Sequence, residues 1–149
     1  MKDKFKQAYM TVAETFAKLS HCERAKVGAI IVKSDRIISI GYNGMPAGYD
    51  NCCEDTMYHI QLGTTTEISR PEVLHAEANA ILKVAKSTNN CKDATLYLTH
   101  SPCKDCSKLV LQSGIKRLVF LEAYKDTSGI DFLKNAGLDV VQIENCQDV

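Results

Sequence analysis

Two short stretches of the chain bring together residue types that bind metals and move protons. They are His75-Ala76-Glu77 and Pro102-Cys103-Lys104-Asp105-Cys106. One imidazole and two thiolates give three zinc ligands, which leaves the fourth tetrahedral position open for water. Zinc lowers the pKa of bound water from about 15.7 to roughly 7. A carboxylate two residues from the histidine can move protons without binding the metal. These residues predict a zinc site that activates water.

The Cys-x-x-Cys pair has a second interpretation. Cys103 and Cys106 are spaced i, i+3 at a predicted helix start, where both sulfurs can face one point and exposed N–H groups favour thiolates. A strand that runs into such a pair is also the thioredoxin-like redox arrangement. Here Pro102 precedes the pair, and a His-x-Glu opens another helix. We therefore favour the signature of zinc-dependent nucleobase deaminases over a redox or purely structural site.

Glu77 is the candidate general acid and base. The usual place of a glutamate is a solvated helix face, but Glu77 lies in a largely apolar stretch. As a proton shuttle it would take a proton from zinc-bound water, protonate the ring nitrogen N3, and deliver a proton to the leaving ammonia. Burial should raise its pKa towards the working range.

The hydrophobic pattern predicts the elements that must position these motifs. An apolar stripe at helical spacing predicts a first helix over residues 4–19. The other predicted elements are strands 27–32 and 36–42, strand 94–99, a helix over about 103–113, strand 116–121, a short helix around 131–135 and strand 138–143. Strands 27–32 and 36–42 form a hairpin, and the later strand–helix alternation implies parallel pairing with right-handed crossovers. We predict a single α/β domain over residues 1–149, with a five-stranded mixed sheet between helical layers.

Two stretches near the histidine are harder to interpret. A possible capping box at Ser69-Arg70-Pro71-Glu72 would start the site helix near Arg70. We prefer a start nearer Leu74, because residues i and i+2 share one pocket most easily off the first turn. The helix is apolar nearly all round, which predicts cover on most sides. Residues 49–70 show no convincing periodicity, which predicts a long functional or mobile loop.

Composition limits the partners and the cellular compartment. Eighteen basic residues balance eighteen acidic ones, whereas nucleic-acid binders usually carry a basic excess. No apolar run approaches the roughly 20 residues of a membrane span, and no signal-peptide core follows the N-terminus. We therefore expect no nucleic acid, no membrane and a cytoplasmic location. Seven cysteines, an odd number, argue against a disulfide framework and favour metal ligation or buried free thiols.

Over nearly its whole length the chain resembles the cytidine deaminase-like superfamily, and more closely the deoxycytidylate (dCMP) deaminases. The segments that carry the resemblance are residues 27–32, 41–48, 75–82, 99–106 and 112–115. His-x-Glu and Pro-Cys-x-x-Cys mark only the superfamily, whereas Gly-Tyr-Asn-Gly-Met-Pro at 41–46 points to the dCMP deaminases. The resemblance implies the three-layer αβα cytidine deaminase-like fold.

The same resemblance implies hydrolysis of dCMP to dUMP and ammonia, which supplies dUMP for thymidylate synthesis. It implies catalytic Zn²⁺ at His75, Cys103 and Cys106, with Glu77 as general acid and base. The substrate-binding residues that it implies are Asn43, Ala76, Ser101 and Tyr124. Asn43 would touch the sugar, although an asparagine before glycine is also a common turn residue. Tyr124 would stack on the pyrimidine or sugar, or it is a half-buried surface aromatic.

Phosphate binding and regulation rest on weaker signals. A monophosphate needs cationic or N–H partners; the candidates are Arg24, Lys26, Lys104 and Lys125, although such side chains are more often solvated surface charges. Many dCMP deaminases are homohexamers that dCTP with Mg²⁺ activates and dTTP inhibits. The resemblance would place regulatory contacts at Arg24, Lys26, Gly44 and Gly48. Some also hold a second, structural zinc, for which Cys22, Cys52 or Cys53, and His59 are candidates against free buried thiols.

Two other functions compete. One is deamination of a different substrate, such as free cytidine, another cytosine nucleotide, a pterin or riboflavin intermediate, or adenosine in transfer RNA. Zero net charge disfavours the RNA version, and the Asn43 loop favours a nucleotide. The other is a zinc-stabilised binding or regulatory module without turnover, which predicts that Glu77→Gln leaves function intact.

Overall fold

A central five-stranded sheet carries the two sequence motifs. The computed structural model describes residues 2–145. Its helices are α1 (Asp3–Ala17), α2 (Ala76–Ala85), α3 (Lys104–Gln112) and α4 (Ser128–Asn135). Its strands are β1 (Gly28–Lys33), β2 (Arg36–Tyr42), β3 (Glu54–His59), β4 (Thr64–Ser69), β5 (Thr95–His100), β6 (Arg117–Glu122) and β7 (Asp139–Gln142). Of the seven cysteines, Cys146 lies outside the described residues.

The sheet has the strand order β2-β1-β5-β6-β7. β1 pairs antiparallel with β2 and with β5, whereas β5–β6 and β6–β7 are parallel. Ser34 and Asp35 close the β1–β2 hairpin with φ values of 50° and 58°; short polar side chains tolerate this left-handed geometry better than bulky ones. The predicted five-stranded mixed sheet is confirmed. Because β5 and β6 are parallel, their carboxyl ends meet at one edge, with His100 opposite Glu122.

Helices cover both faces of the sheet, so the predicted three-layer αβα arrangement is confirmed. On one face α1 buries Met10 and Ala13 against Ile30, Tyr97 and Val119. On the other face the core comes from α2, α3 and α4 together with the opposite side chains of the strands. Burial of these apolar side chains from both faces supplies the main favourable free energy of folding. Over residues 2–145 no helix is both long and apolar enough to cross a membrane.

The stretch predicted as a long loop forms a second, small sheet. β3 and β4 pair antiparallel from Glu54 opposite Ser69 to His59 opposite Thr64. The prediction was wrong because most of these side chains are exposed, so no alternation of apolar and polar residues marks the strands. Main-chain hydrogen bonds, which every residue type offers, hold the register.

α2 packs on the sheet by one narrow face. It begins at Ala76 with His75 as its N-cap, close to the predicted start near Leu74. Ala76 and Ala80 lie directly against Gly41 of β2, where a Cβ would collide with helix backbone. The prediction of cover on most sides was wrong beyond the first turn, since Leu82 is 51% exposed. The small residues at i, i+4 spacing allow this close approach, and they leave the opposite face open.

Candidate active site and metal centre

The starts of α2 and α3 meet at the carboxyl edge of the sheet. His75 is the N-cap of α2, and Cys103 is the N-cap of α3. The Nδ1 atom of His75 lies 3.6 Å from the sulfur of Cys103 and 3.3 Å from that of Cys106. One ligand atom from each of these residues and from Glu77 lies within 4.8 Å of the others. The tertiary structure thus joins the two motifs into one cluster.

The spacing of the three donor atoms fits a tetrahedral metal. Zn–S bonds of about 2.3 Å and Zn–N bonds of about 2.05 Å at tetrahedral angles put a nitrogen and a sulfur roughly 3.6 Å apart. The two measured nitrogen–sulfur distances, 3.6 and 3.3 Å, are close to that value. Neither cysteine forms a disulfide. An imidazole with two sulfurs is a donor set that zinc prefers, so these residues fit a zinc ion with one open position.

Only Cys103 has a lowered pKa in the cluster; the pKa values of His75 and Cys106 are raised. Hydrogen bonds from Cys106 and His75 lower the pKa of Cys103 to about 4, so its sulfur is a thiolate at neutral pH. The hydrogen bond with Cys103 raises the pKa of His75. The hydrogen bond to the Cys103 sulfur, together with burial, raises the pKa of Cys106. Metal binding would displace these protons, because ligands coordinate in their deprotonated forms.

Glu77 is the buried carboxyl group of the site. It lies in the first turn of α2 and is 3% exposed. Burial raises its pKa above the ordinary value for a glutamate. A carboxyl group whose pKa is raised holds a proton more readily, so it can donate a proton as well as accept one. The geometry therefore places a group suited to proton transfer beside the three candidate metal ligands.

The cluster opens into a cavity of about 540 Å³. This volume lies within the usual range for small-molecule sites. The residues that line it are Cys22, Arg24, Ala25, Val27, Asn43, Glu54, Ser69, Val73, His75, Ala76, Glu77, His100, Ser101, Cys103, Tyr124, Lys125 and Asp126. All four residues implied for substrate binding, namely Asn43, Ala76, Ser101 and Tyr124, are among them. Ala76 is fully buried at the start of α2.

An aromatic pair forms one part of the cavity wall. The ring of Tyr124 stacks on His100 at 5.3 Å between centroids, with 27° between the planes. The hydroxyl of Ser101 accepts a hydrogen bond from the main-chain N–H of Tyr124 at 3.0 Å. His100 Nε2 lies 3.0 Å from a carboxylate oxygen of Glu122, its partner across β5 and β6. These contacts fix Tyr124, which keeps 41% of its surface exposed.

Asn43 directly follows β2 and forms hydrogen bonds with the segment that precedes β1. Its Oδ1 accepts from the N–H of Val27 at 2.9 Å, and its Nδ2 donates to the carbonyl of Ala25 at 2.8 Å. Asn43 thereby fixes the segment that precedes β1. It is buried yet lines the cavity, so its amide can contact a ligand only through a remaining hydrogen or lone pair.

Only two of the four candidate phosphate-binding side chains line the cavity. Arg24 and Lys125 line the cavity, whereas Lys26 and Lys104 lie outside its lining. Gly44 forms a two-way bridge with Leu74, the residue before His75, with N–H to carbonyl distances of 3.0 and 2.8 Å. Gly48 has a φ of +91° and open space where a Cβ would lie, so it acts as a turn residue.

The predicted second zinc is not assembled as expected. Cys22 and Cys53 form a disulfide, whereas free or metal-bound thiols were predicted for this pair. Their sulfurs and a carboxylate oxygen of Glu54 lie within 4.8 Å of one another, so metal binding by the two cysteines stays a prediction. The Cys52 thiol donates to the carbonyl of Glu54 instead. His59 ends β3 and bonds Thr66 at the far end of the hairpin. At about 3.3 Å per residue, the strand carries His59 roughly 17 Å from Glu54, too far to share an ion with Cys53.

Sequence reasoning missed several residues of the cavity wall, including His100, Glu54 and Ser69. His100 could have been found, since it ends a strand immediately before the Pro-Cys motif, where open α/β sheets bind ligands. Glu54 and Ser69 gave no signal, because they lie at the ends of two exposed strands without periodicity. Glu54 is nonetheless buried, and both side chains reach the cavity.

Comparison with known proteins agrees with this geometry. Residues 3–122 match the family model described as the cytidine and deoxycytidylate deaminase zinc-binding region. The chain belongs to this family. As a member of this deaminase family, the protein is a hydrolytic enzyme, and the family's zinc-binding region includes the cluster of His75, Cys103 and Cys106.

The sequences of individual relatives align with most of the length of this deaminase. The deoxycytidylate deaminase of Enterobacteria phage T4 is 37% identical over 90% of this chain and 87% of its own. That of Saccharomyces cerevisiae is 34% identical over 95% of this chain and 46% of its own. A crystal structure of the dCMP deaminase from cyanophage S-TIM5, in complex with dCMP and dUMP, superposes with a TM-score of 0.84. That chain is 43% identical, and the match covers 96% of this chain and 99% of that one. The predicted family and fold are confirmed.

Proposed function

We propose that the protein hydrolyses dCMP to dUMP and ammonia. The observation that carries this proposal is the cavity itself, which combines the candidate zinc cluster and Glu77 with the cationic side chains of Arg24 and Lys125. The phage relative of 43% identity was crystallised with dCMP and dUMP. A deaminase for a nucleoside alone would not need two cations in its pocket.

Glu77 would carry the protons of the reaction. Zinc, when bound by His75, Cys103 and Cys106, lowers the pKa of water and supplies the nucleophile at neutral pH. Glu77 accepts the proton that the attacking water releases and passes it to N3 of the cytosine ring. Glu77 then takes the proton of the new hydroxyl at C4 and delivers it to the amino group, so the C4–N bond breaks, the C4 carbonyl forms and ammonia leaves. Burial supports this role because it keeps the pKa of Glu77 raised.

The aromatic and small residues of the wall would hold the nucleoside. Tyr124 is fixed by Ser101 and His100 and presents an exposed ring, so we assign it to stacking on the pyrimidine. Main-chain N–H groups in the first turn of α2, beginning at Ala76, have no partner within the helix and can orient the base. Asn43 lies in the wall on the β1 side, where we assign it to the sugar.

Arg24 and Lys125 would bind the phosphate. Both line the cavity, and a guanidinium can pair with phosphate through two parallel hydrogen bonds. Lys26 and Lys104 are left out of this proposal because they lie outside the cavity lining. Charge-assisted hydrogen bonds of this kind contribute about 1.5–3 kcal/mol each. That is enough to favour a nucleotide over its nucleoside by one to two orders of magnitude per contact.

We further propose that nucleoside triphosphates regulate the enzyme, with dCTP and Mg²⁺ as activator and dTTP as inhibitor, in a homo-oligomer such as a hexamer. The two hydrogen bonds between Gly44 and Leu74 support this, because they connect the 43–48 loop to the residue before His75. A ligand that moves Gly44 would therefore shift the start of α2. In the cytoplasm, such an enzyme would supply dUMP for thymidylate synthesis.

An ammonia-release assay tests the substrate. It compares dCMP, dCTP, deoxycytidine, cytidine and cytosine, each with and without dCTP and Mg²⁺ and with and without dTTP, while light scattering follows the oligomeric state. We expect the highest kcat/KM for dCMP. Faster turnover of a nucleoside or a free base would replace the proposed substrate. Absence of turnover on every substrate would instead favour a non-catalytic zinc module.

A further inference from the structure

Residues at the base of the β3–β4 hairpin form hydrogen bonds with both the main chain and the side chain of Arg24. The carboxylate oxygen Oε1 of Glu54 accepts hydrogen bonds from the main-chain N–H groups of Glu23 and Arg24, at 2.9 and 3.1 Å. The guanidinium of Arg24 donates to the hydroxyl of Ser69 at 3.4 Å. Glu54 and Ser69 are direct cross-strand partners. One strand pair therefore holds both the main chain and the side chain of the same arginine.

This contact is part of the substrate cavity. Arg24, Glu54 and Ser69 all line the cavity that contains Glu77 and His75. The disulfide between Cys22 and Cys53 ties the same two segments together one or two residues away. Arg24 itself is exposed, and a free arginine side chain would lose rotamer freedom on binding a ligand. Holding it beforehand reduces that loss.

The burial of Glu54 indicates a specific task. It is 8% exposed, and a carboxylate is removed from water only at a large cost unless hydrogen bonds compensate it. Its compensation comes from the two main-chain N–H groups at Glu23 and Arg24, which an apolar residue at this position could not engage. A hairpin that needed only attachment has the Cys22–Cys53 disulfide for that purpose. In addition, the hydrogen bonds of the carboxylate fix the orientation of the main chain at Arg24.

We propose that Glu54 and Ser69 are positioning residues that aim Arg24 at the 5′-phosphate of the substrate and so set the preference for a nucleotide over a nucleoside. This inference rests on the proposed function. It also assigns a role to the β3–β4 hairpin, whose base forms the wall beside the phosphate. Neither residue touches the reacting atoms, so their effect should appear in KM for phosphorylated substrates.

The test measures kcat and KM for dCMP and for deoxycytidine in Arg24→Ala, Glu54→Ala, Glu54→Gln and Ser69→Ala. Losing the arginine should raise KM for dCMP about 10- to 100-fold, as expected for a charge-assisted contact. Glu54→Ala should raise it about 3- to 30-fold and Ser69→Ala about 2- to 5-fold, with kcat within about twofold. Glu54→Gln keeps an acceptor oxygen and should restore most of the loss. KM for deoxycytidine should stay within about twofold throughout.

Two further variants make the test decisive. Glu67→Ala removes an exposed glutamate of the same hairpin, whose carboxylate accepts a hydrogen bond from the Thr56 hydroxyl, and it should leave KM for dCMP unchanged. In the double variant Arg24→Ala/Glu54→Ala, KM should match that of Arg24→Ala alone, because Glu54 acts through the arginine. If Glu54→Ala does not fold, Ser69→Ala and Glu54→Gln are judged by the same ratio of dCMP to deoxycytidine.

The outcomes separate the two proposals. If the wild-type enzyme does not deaminate dCMP, the proposed function fails. If it does, but Glu54→Ala and Ser69→Ala lower kcat/KM equally for dCMP and deoxycytidine, only the positioning role is overturned. Additive effects in the double variant would also overturn it, since they would show that Glu54 acts independently of Arg24.

Discussion

The Nδ1 atom of His75 lies 3.3 Å from the sulfur of Cys106, although 31 residues separate them in the chain. Each residue belongs to the first turn or the cap of its own helix, and the two helices start at the same edge of the sheet. The helix N-termini direct their positive ends towards the cluster, which favours thiolates there. This meeting of two helix starts is the basis of the metal and proton-transfer predictions.

Removal of either helix's ligand should abolish metal binding. We expect His75→Ala and Cys106→Ala each to lose bound zinc and activity, because two remaining donors hold the ion far more weakly than three. Metal analysis of the purified proteins measures the zinc content. Cys52→Ser is the matched control, since Cys52 is exposed and its thiol donates to the Glu54 carbonyl. Full zinc content in Cys106→Ala would contradict the proposed site.

Glu77→Gln should separate catalysis from metal binding. The amide keeps the size of the side chain but cannot shuttle protons, so we expect kcat to fall at least about a hundredfold. The zinc content should not change, because Glu77 is not a proposed ligand. Glu72→Gln, which alters an exposed carboxylate outside the cavity lining, serves as the control. Activity close to wild type in Glu77→Gln would support a non-catalytic module.

Gly129 of α4 packs against the backbone that carries Cys103. A Cβ at this position would collide with the carbonyl oxygen of Pro102 and lie 2.7 Å from the hydroxyl of Ser107. We expect Gly129→Ala to lower the free energy of unfolding by about 1–3 kcal/mol through overpacking, and to weaken zinc affinity. Chemical denaturation and a competitive zinc titration measure the two effects.

Gly44→Ala provides the comparison for that variant. Nothing lies within 4 Å of its added Cβ, and its φ is not in the left-handed region, so its stability should equal or slightly exceed that of wild type. Equal stabilities for the Gly129 and Gly44 variants would show that α4 can move away from the Pro102 carbonyl without loss.

The disulfide between Cys22 and Cys53 should be detectable and stabilising. Peptide mapping without reduction should recover the two cysteines in one linked species. Since 31 residues separate them, the chain-entropy model gives about 3–4 kcal/mol for closing the loop. Cys22→Ser/Cys53→Ser should therefore unfold at lower denaturant concentration, whereas Cys52→Ser should not. Complete alkylation of both thiols in the denatured, unreduced protein would exclude the disulfide.

The local parts of the site were predictable from the sequence because their geometry is set within a few residues. His75 and Glu77 share the first turn of one helix, and Cys103 and Cys106 share that of another. A spacing of two or three residues at a helix start fixes where such side chains can point. The apolar runs of the main sheet were equally readable, because strands that are buried between helical layers select β-branched and other apolar residues.

Only the tertiary structure decided which distant residues meet. It brings Glu54 and Ser69 to Arg24, joins Cys22 to Cys53, and admits Arg24 but not Lys26 to the cavity. The hairpin that makes these contacts is exposed and is held by main-chain hydrogen bonds, which leave no pattern in the side chains. The spacing of residues within a helix turn fixes where their side chains point. Contacts between residues tens of positions apart depend instead on how the crossovers and the hairpin pack, and no short motif contains that information.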